Sequence, residues 1–184
     1  TGTEPQFIDA GTGDARRRIA YRREKRSGSR RPGLFWLAGL KSDMVSTKAS
    51  TLADYAAKAG VDCVRFDYSG HGLSSGPFED GTIGRWLEEA ATIFRETAPG
   101  PRIIVGSSTG GYVALLLLKY LLENDPAEAR RIMALVLIAP AWDLTEQLMW
   151  NSFSEDARQA ILTTGRYLKP SDYGEPYTIT RQFI

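Results

Sequence analysis

The chain has one cysteine and one histidine in 184 residues. A single cysteine excludes an internal disulfide and a cysteine-rich metal site. A single histidine excludes any site that needs two. No apolar run reaches the roughly 18–20 residues that a membrane-spanning helix requires. The N-terminus is polar and lacks the apolar stretch of a secretory signal. Repeats and low-complexity tracts are also missing. An excess of one charge is lacking as well, since the net charge of +1 gives no global bias toward nucleic acid.

What is present fits an ordinary globular chain, with 42% apolar and 24% charged residues. Charge is nevertheless uneven. Residues 1–32 carry nine basic and four acidic groups, a net of +5, and the remainder a net of −4. Arg16, Arg17, Arg18, Arg22, Arg23, Lys25, Arg26, Arg30 and Arg31 hold the excess. No aromatic platform is interleaved with them, as single-strand binding would favour. They read as a solvated outer strand followed by a hairpin turn over Lys25–Gly33, with no nucleic-acid partner.

Strand and helix alternate after a short all-strand opening. Phe7–Ala10 and Arg18–Arg22 read as strands. Leu34–Ala38 is a continuous apolar run, as in a strand buried on both faces. A helix is expected over Lys48–Ala59, stopped by Gly60, and a strand over Val61–Tyr68. Thr82 caps a helix whose Ile83, Trp86, Leu87, Ala90 and Phe94 share one face. Arg102–Val105 is a strand, Tyr112–Leu122 an apolar helix, and Ile132–Ala139 another buried strand. This order implies a mostly parallel α/β sheet with helices on both faces. Chemistry in such a domain sits in loops at the C-terminal ends of the strands.

The loop after Val105 reads Gly106-Ser107-Ser108-Thr109-Gly110-Gly111, between strand and helix. That is the context of a G-x-S-x-G nucleophile elbow. The turn is so sharp that side chains two residues before and after the nucleophile would collide with their neighbours. Only Ser108 has glycine at both positions, so it is the candidate nucleophile. An acyl-transfer site also needs two backbone N–H donors for its oxyanion. Thr109 supplies one and Leu40, in the loop Gly39-Leu40-Lys41-Ser42-Asp43-Met44, is the candidate for the other. Lys41 and Asp43 read as surface charge or a helix cap. No Lys-Ser or Lys-Thr follows the glycines, which excludes a P-loop. Gly70-His71-Gly72 is a weak dinucleotide signal, because the acidic residues about 20 positions on lie in a helix. His71 reads as a structural loop histidine beside the site. No metal or organic cofactor is needed.

These stretches, with Phe66-Asp67-Tyr68-Ser69-Gly70-His71-Gly72 and Gly81-Thr82-Ile83-Gly84-Arg85-Trp86, give the chain a clear resemblance. It resembles the α/β-hydrolase superfamily, and within it bacterial serine hydrolases related to mitochondrial depalmitoylating and acyl-glucuronide esterases. The resemblance spans about Leu34 to Ile184. It implies an eight-stranded, mostly parallel sheet, Ser108 as nucleophile, Leu40 and Thr109 as oxyanion donors, and a structural Gly-His-Gly loop.

The family's order is nucleophile, acid, histidine, and no histidine follows Ser108 here. Asp143 follows the sixth strand, where some relatives place an acid, but this group places it later. The catalytic acid and histidine are therefore expected beyond Ile184. Residues 1–140 are read as the hydrolase core through strand six, and 141–184 as the start of a cap or a helical segment leading to the rest. Ser154 followed by Glu155 and Asp156 starts a helix there. The expected activity is cleavage of a small-molecule carboxylic ester or thioester by a serine esterase or thioesterase. The alternative is a truncated or non-catalytic hydrolase-fold protein that binds without turnover. With no disulfide the expected compartment is the cytoplasm, or the mitochondrial matrix in a eukaryote.

Overall fold

A computed structural model describes residues 3–26, 31–171 and 175–184. Strands β1 (Gln6–Ala10), β2 (Arg17–Glu24), β3 (Gly33–Leu37), β4 (Cys63–Phe66), β5 (Arg102–Ser107) and β6 (Ile132–Ile138) form one sheet. Its order is β1-β2-β4-β3-β5-β6. The last four are parallel, with Leu34 beside Cys63, Trp36 beside Val105 and Gly106 beside Leu137. β2 runs antiparallel to both of its neighbours.

Period-two alternation along β3 and β4 sends side chains to two separate cores. Leu34 and Cys63 pack with Ala53, Ala56 and Val61 beneath helix α1 (Thr47–Ala59). Phe35 and Val64 belong to the larger core on the other side. There α2 (Ile83–Thr97) contributes Trp86, Ala90, Ile93 and Phe94, and α3 (Thr109–Asn124) contributes Val113, Ala114, Leu117 and Leu121. Burying side chains of this size gives about 1.5–3 kcal/mol each. The cap residue of α2 is Thr82, whose Oγ1 accepts from Arg85 N–H at 3.1 Å. Gly60 ends α1 in the left-handed conformation, φ 67°.

A short helix α4 (Pro126–Ala129) leads into β6. Then come a π-helical turn at Leu144–Met149, helix α5 (Glu155–Thr164) and an antiparallel pair, β7 (Arg166–Lys169) and β8 (Tyr177–Thr180). Ser154 caps α5 by accepting from Ala157 N–H at 3.2 Å. The pair β7–β8 was not legible in a sequence that reads as helical there. β6 has β5 as its one described neighbour, and exposes Met133, Val136 and Ile138.

Several sequence expectations change. The strand expected to be buried over Ile132–Ala139 spans Ile132–Ile138 and has no fully buried residue, because β5 is its one described neighbour in the sheet. The segment Lys25–Gly33 is not a hairpin turn: it joins β2 to β3, and β4 lies between them in the sheet. Residues 27–30 of it lie outside the described residues. The strand expected over Val61–Tyr68 shortens to Cys63–Phe66, because Asp67 and Tyr68 already belong to the loop architecture of the site. Several of the described N-terminal arginines are engaged rather than simply solvated. Arg17 pairs with buried Glu89 at 2.7 Å and Glu88 at 2.5 Å, Arg23 with Asp62 at 3.3 Å, and Arg18 stacks on Phe7.

Candidate active site

Ser108 occupies the single residue between β5 and α3, with φ 53° and ψ −119°. This backbone region is sparsely populated for any residue but glycine and costs on the order of 1–3 kcal/mol. Its surroundings hold it there. Ser108 N–H donates to Ile138 C=O at 3.0 Å, and Ser108 C=O accepts from Gly111 and Ala141 N–H at 2.9 and 3.0 Å. A Cβ on Gly106 would sit 2.4 Å from the Gly110 carbonyl oxygen, and one on Gly110 only 2.1 Å from that of Leu37. The glycines at −2 and +2 are thus demanded by backbone on both sides. Helix α3 begins at Thr109 rather than at Tyr112, because the turn takes up one residue only.

The Ser108 side chain is exposed and does not cap α3. That removes the simpler explanation, a Gly-Ser turn serving as a helix cap. Ser107 differs: it is buried, and its Oγ accepts from Lys48 Nζ at 3.3 Å. Thr109 is the first residue of α3, so its N–H has no carbonyl to meet within the helix. The helix also directs its positive end at the same spot.

The loop after β3 passes directly over Ser108. A Cβ on Gly39 would lie 3.3 Å from Ser108 Cβ. Leu40, Lys41, Ser108 and Thr109 line one cavity of ≈ 460 Å³, together with Leu144, Met149, Ser171, Glu175 and Tyr177. The three residues singled out from the sequence therefore share one pocket. Asp43 takes a local role, its Oδ1 accepting from Val45 N–H at 2.9 Å. The Lys41 ammonium lies over the Phe78 ring at 4.6 Å.

Two buried carboxyls brace these loops, and sequence reasoning missed both. Asp67 accepts Met44 N–H at 2.6 Å through Oδ1 and Leu73 N–H at 2.8 Å through Oδ2, tying the loop after β3 to the loop after β4. Burial nevertheless raises its pKa above the ordinary 3.8. A Cβ on Gly72 would fall 2.1 Å from Asp67 Oδ2, which explains that glycine. Glu89, raised by burial in the same way, accepts Ser69 N–H at 2.9 Å and pairs with Arg17. A Glu on an apolar helix face was the available signal for Glu89; Asp67 offered none.

His71 is a loop histidine, as read from the sequence. Its Nδ1 lies 3.1 Å from Ser69 C=O and its Nε2 accepts Lys41 N–H at 3.1 Å. Both nitrogens are occupied, so it is not presented to Ser108 as a base. Asp143 sits at φ 52° at the start of the π-helical turn and is not among the cavity's lining residues. Tyr112 has its pKa raised by burial and then by the Asp143 charge. Buried Cys63 has its thiol pushed up to about 12 by burial, which leaves it unreactive. Among the described residues no cluster of His, Cys, Asp or Glu could hold a metal ion, and no helix is long and apolar enough to cross a membrane.

Comparison with known proteins agrees with this fold. A putative hydrolase from Agrobacterium vitis is 40% identical, superposes with a TM-score of 0.90, and is matched over 98% of this chain and 69% of its own. The mouse alpha/beta hydrolase domain-containing protein 10 superposes at 0.77 with 29% identity, over 98% of this chain and 68% of its own. The human mitochondrial palmitoyl-protein thioesterase ABHD10 is 32% identical over 168 residues, 90% of this chain and 51% of the human protein. The chain thus spans about half the length of that relative. The Alpha/beta hydrolase family model matches residues 27–181, and with the elbow, the sheet order and these relatives in agreement, the chain belongs to the alpha/beta hydrolase family.

Proposed function

We propose that this chain carries the nucleophilic half of a serine hydrolase that cleaves carboxylic ester or thioester bonds. The observation that carries the reading is Ser108. It is strained, exposed into a cavity, and flanked by Leu40 and Thr109. Ser108 Oγ attacks the acyl carbonyl and passes its proton to a base. The carbonyl oxygen gains negative charge and rests on the Leu40 and Thr109 N–H groups. The C–O or C–S bond breaks, the base returns the proton to the departing alcohol or thiol, and an acyl-enzyme remains on Ser108. Water repeats the sequence and releases the acid.

The base and its orienting acid are assigned to residues following Ile184. His71 is committed elsewhere, and the relatives extend well beyond the matched length. The exposed apolar edge of β6 is where additional strands would pair. Residues 141–184 act as a cap: Leu144, Met149 and Tyr177 provide apolar walls for an acyl group, in a cavity of typical ligand-site size. The thioesterase name of the human relative favours an acyl thioester among the substrates. Its mitochondrial label fits the reducing compartment read from the cysteine count.

The test is Ser108→Ala, assayed on activated acyl esters and acyl thioesters. Turnover should fall on the order of 10⁴-fold or more, with the fold intact. Undiminished turnover in the variant would overturn the assignment.

A further inference from the structure

His71 lies in an aromatic box, its ring 5.2 Å from Trp86, 5.4 Å from Phe78 and 6.1 Å from Tyr68, and is 6% exposed. Its two partners fix its chemical state. Ser69 C=O can only accept, so Nδ1 carries a proton. Lys41 N–H can only donate, so Nε2 carries none. The neutral Nδ1–H tautomer alone satisfies both contacts.

Lys41 N–H is an unusual donor. Ser42 N–H closes a turn onto Gly39 C=O at 3.1 Å, with Leu40 and Lys41 at its centre. Lys41 has φ 59° whereas Leu40 has no positive φ, the pattern of a type II turn. That turn prefers glycine at the third position, and a lysine there is strained. A type I turn would suit lysine better. It differs mainly by rotation of the central peptide, here Leu40–Lys41, through about half a circle. In the observed turn, the N–H of that peptide meets Nε2 of His71.

We propose that His71 is a positioning residue for the reaction, a proton-sensitive latch whose neutral imidazole holds the Leu40–Lys41 peptide in the type II orientation and so shapes the oxyanion loop. The inference rests on Ser108 and Leu40 acting as assigned above. Protonation would set Nε2–H against Lys41 N–H, a donor against a donor. Rotating the peptide would turn the Leu40 carbonyl toward the imidazolium and relieve the clash. It would also reverse a peptide dipole beside the site where negative charge develops.

Among the described residues, the charged groups whose fields reach His71 are Lys41 and Asp43, both on the loop after β3. Tyr68 is held neutral by burial, and Phe78 and Trp86 bring no charge. Burial first, and Lys41 in addition, lower the His71 pKa below the ordinary 6.5, against the Ser69 carbonyl and Asp43, which raise it. The latch is therefore closed at neutral pH and opens on acidification.

Two measurements on the native protein test this. The first is a ¹⁵N spectrum followed through an acid titration, which does not require activity. The imidazole should show the Nδ1–H tautomer, and the Lys41 amide should shift in step with the ring. An Nε2–H tautomer, or a Lys41 amide indifferent to the ring's titration, would overturn the proposal. The second is the rate of acylation of Ser108 against pH. His71→Leu should slow it about 10-fold or more with KM little changed. His71→Gln, whose amide oxygen can accept Lys41 N–H, should restore most of the rate and remove one proton's contribution from the acid limb. A wild-type rate and profile in His71→Leu would sink the latch while Ser108 stands. If Ser108→Ala still acylates, the hydrolase reading fails, and the spectrum alone decides the hydrogen bond. If His71→Leu does not fold, the wild-type spectrum decides it likewise.

Discussion

At Gly110, an absent methyl group determines whether the elbow can exist. An alanine Cβ would press on the Leu37 and Ala38 carbonyl oxygens at 2.1 and 2.5 Å, and both belong to backbone that cannot swing aside. Gly110→Ala should therefore destabilise the protein by about 3 kcal/mol or abolish folding, as measured by chemical denaturation. The elbow was readable from sequence for the same reason: small residues at fixed spacing are a steric requirement, and steric requirements leave compositional marks. Leu40 and Thr109, proposed as oxyanion donors through their backbone N–H groups, could be named from chain position alone, and both line the cavity beside Ser108. Asp67 was not. Nothing in Phe66-Asp67-Tyr68 distinguishes a surface carboxylate from one that binds two loop amides, since its partners lie 23 residues before and 6 residues after it.

Among the elements, α2 shows how local sequence and tertiary packing cooperate. Its cap, its buried stripe and its start at Thr82 all follow from the sequence pattern and recur in the structure. Gly84, in its first turn, has no packing reason to be glycine: the nearest atom to a Cβ there would be Thr82 Oγ1 at 3.9 Å. Gly84→Ala should accordingly stabilise the protein by about 0.5 kcal/mol, raising the denaturation midpoint at constant slope. The contrast with Gly110 separates glycine as conformational freedom from glycine as vacant space. The antiparallel pair β7–β8 escaped the sequence reading because Arg166–Lys169 and Tyr177–Thr180 are too short for periodicity to declare itself. The supposed hairpin after β2 failed for a different reason. Turn composition reports that the chain bends, not which strand it next pairs with, and the crossover to β3 is a property of the sheet.

Across the whole molecule, one titration links stability to the architecture of the site. The chain has a single histidine, and its folded pKa lies below the ordinary 6.5. Between those two values the unfolded chain binds a proton that the folded chain does not, so stability rises with pH. The contribution is complete above about 6.5 and is lost as the pH falls toward the folded value. Unfolding free energy should thus decrease on acidification through this window, and His71→Gln should flatten that dependence. An equal dependence in the variant would place the responsible group elsewhere. Asp67 and Glu89 act in the opposite sense above their ordinary values, because burial raises both.

The most direct test of the central claim is the intact mass of the native protein before and after exposure to a fluorophosphonate, beside its Ser108→Ala variant. The account predicts one adduct in the wild type, located on Ser108 by peptide mapping, and none in the variant. An adduct that persists in Ser108→Ala, or no adduct on a folded wild-type protein, would contradict it.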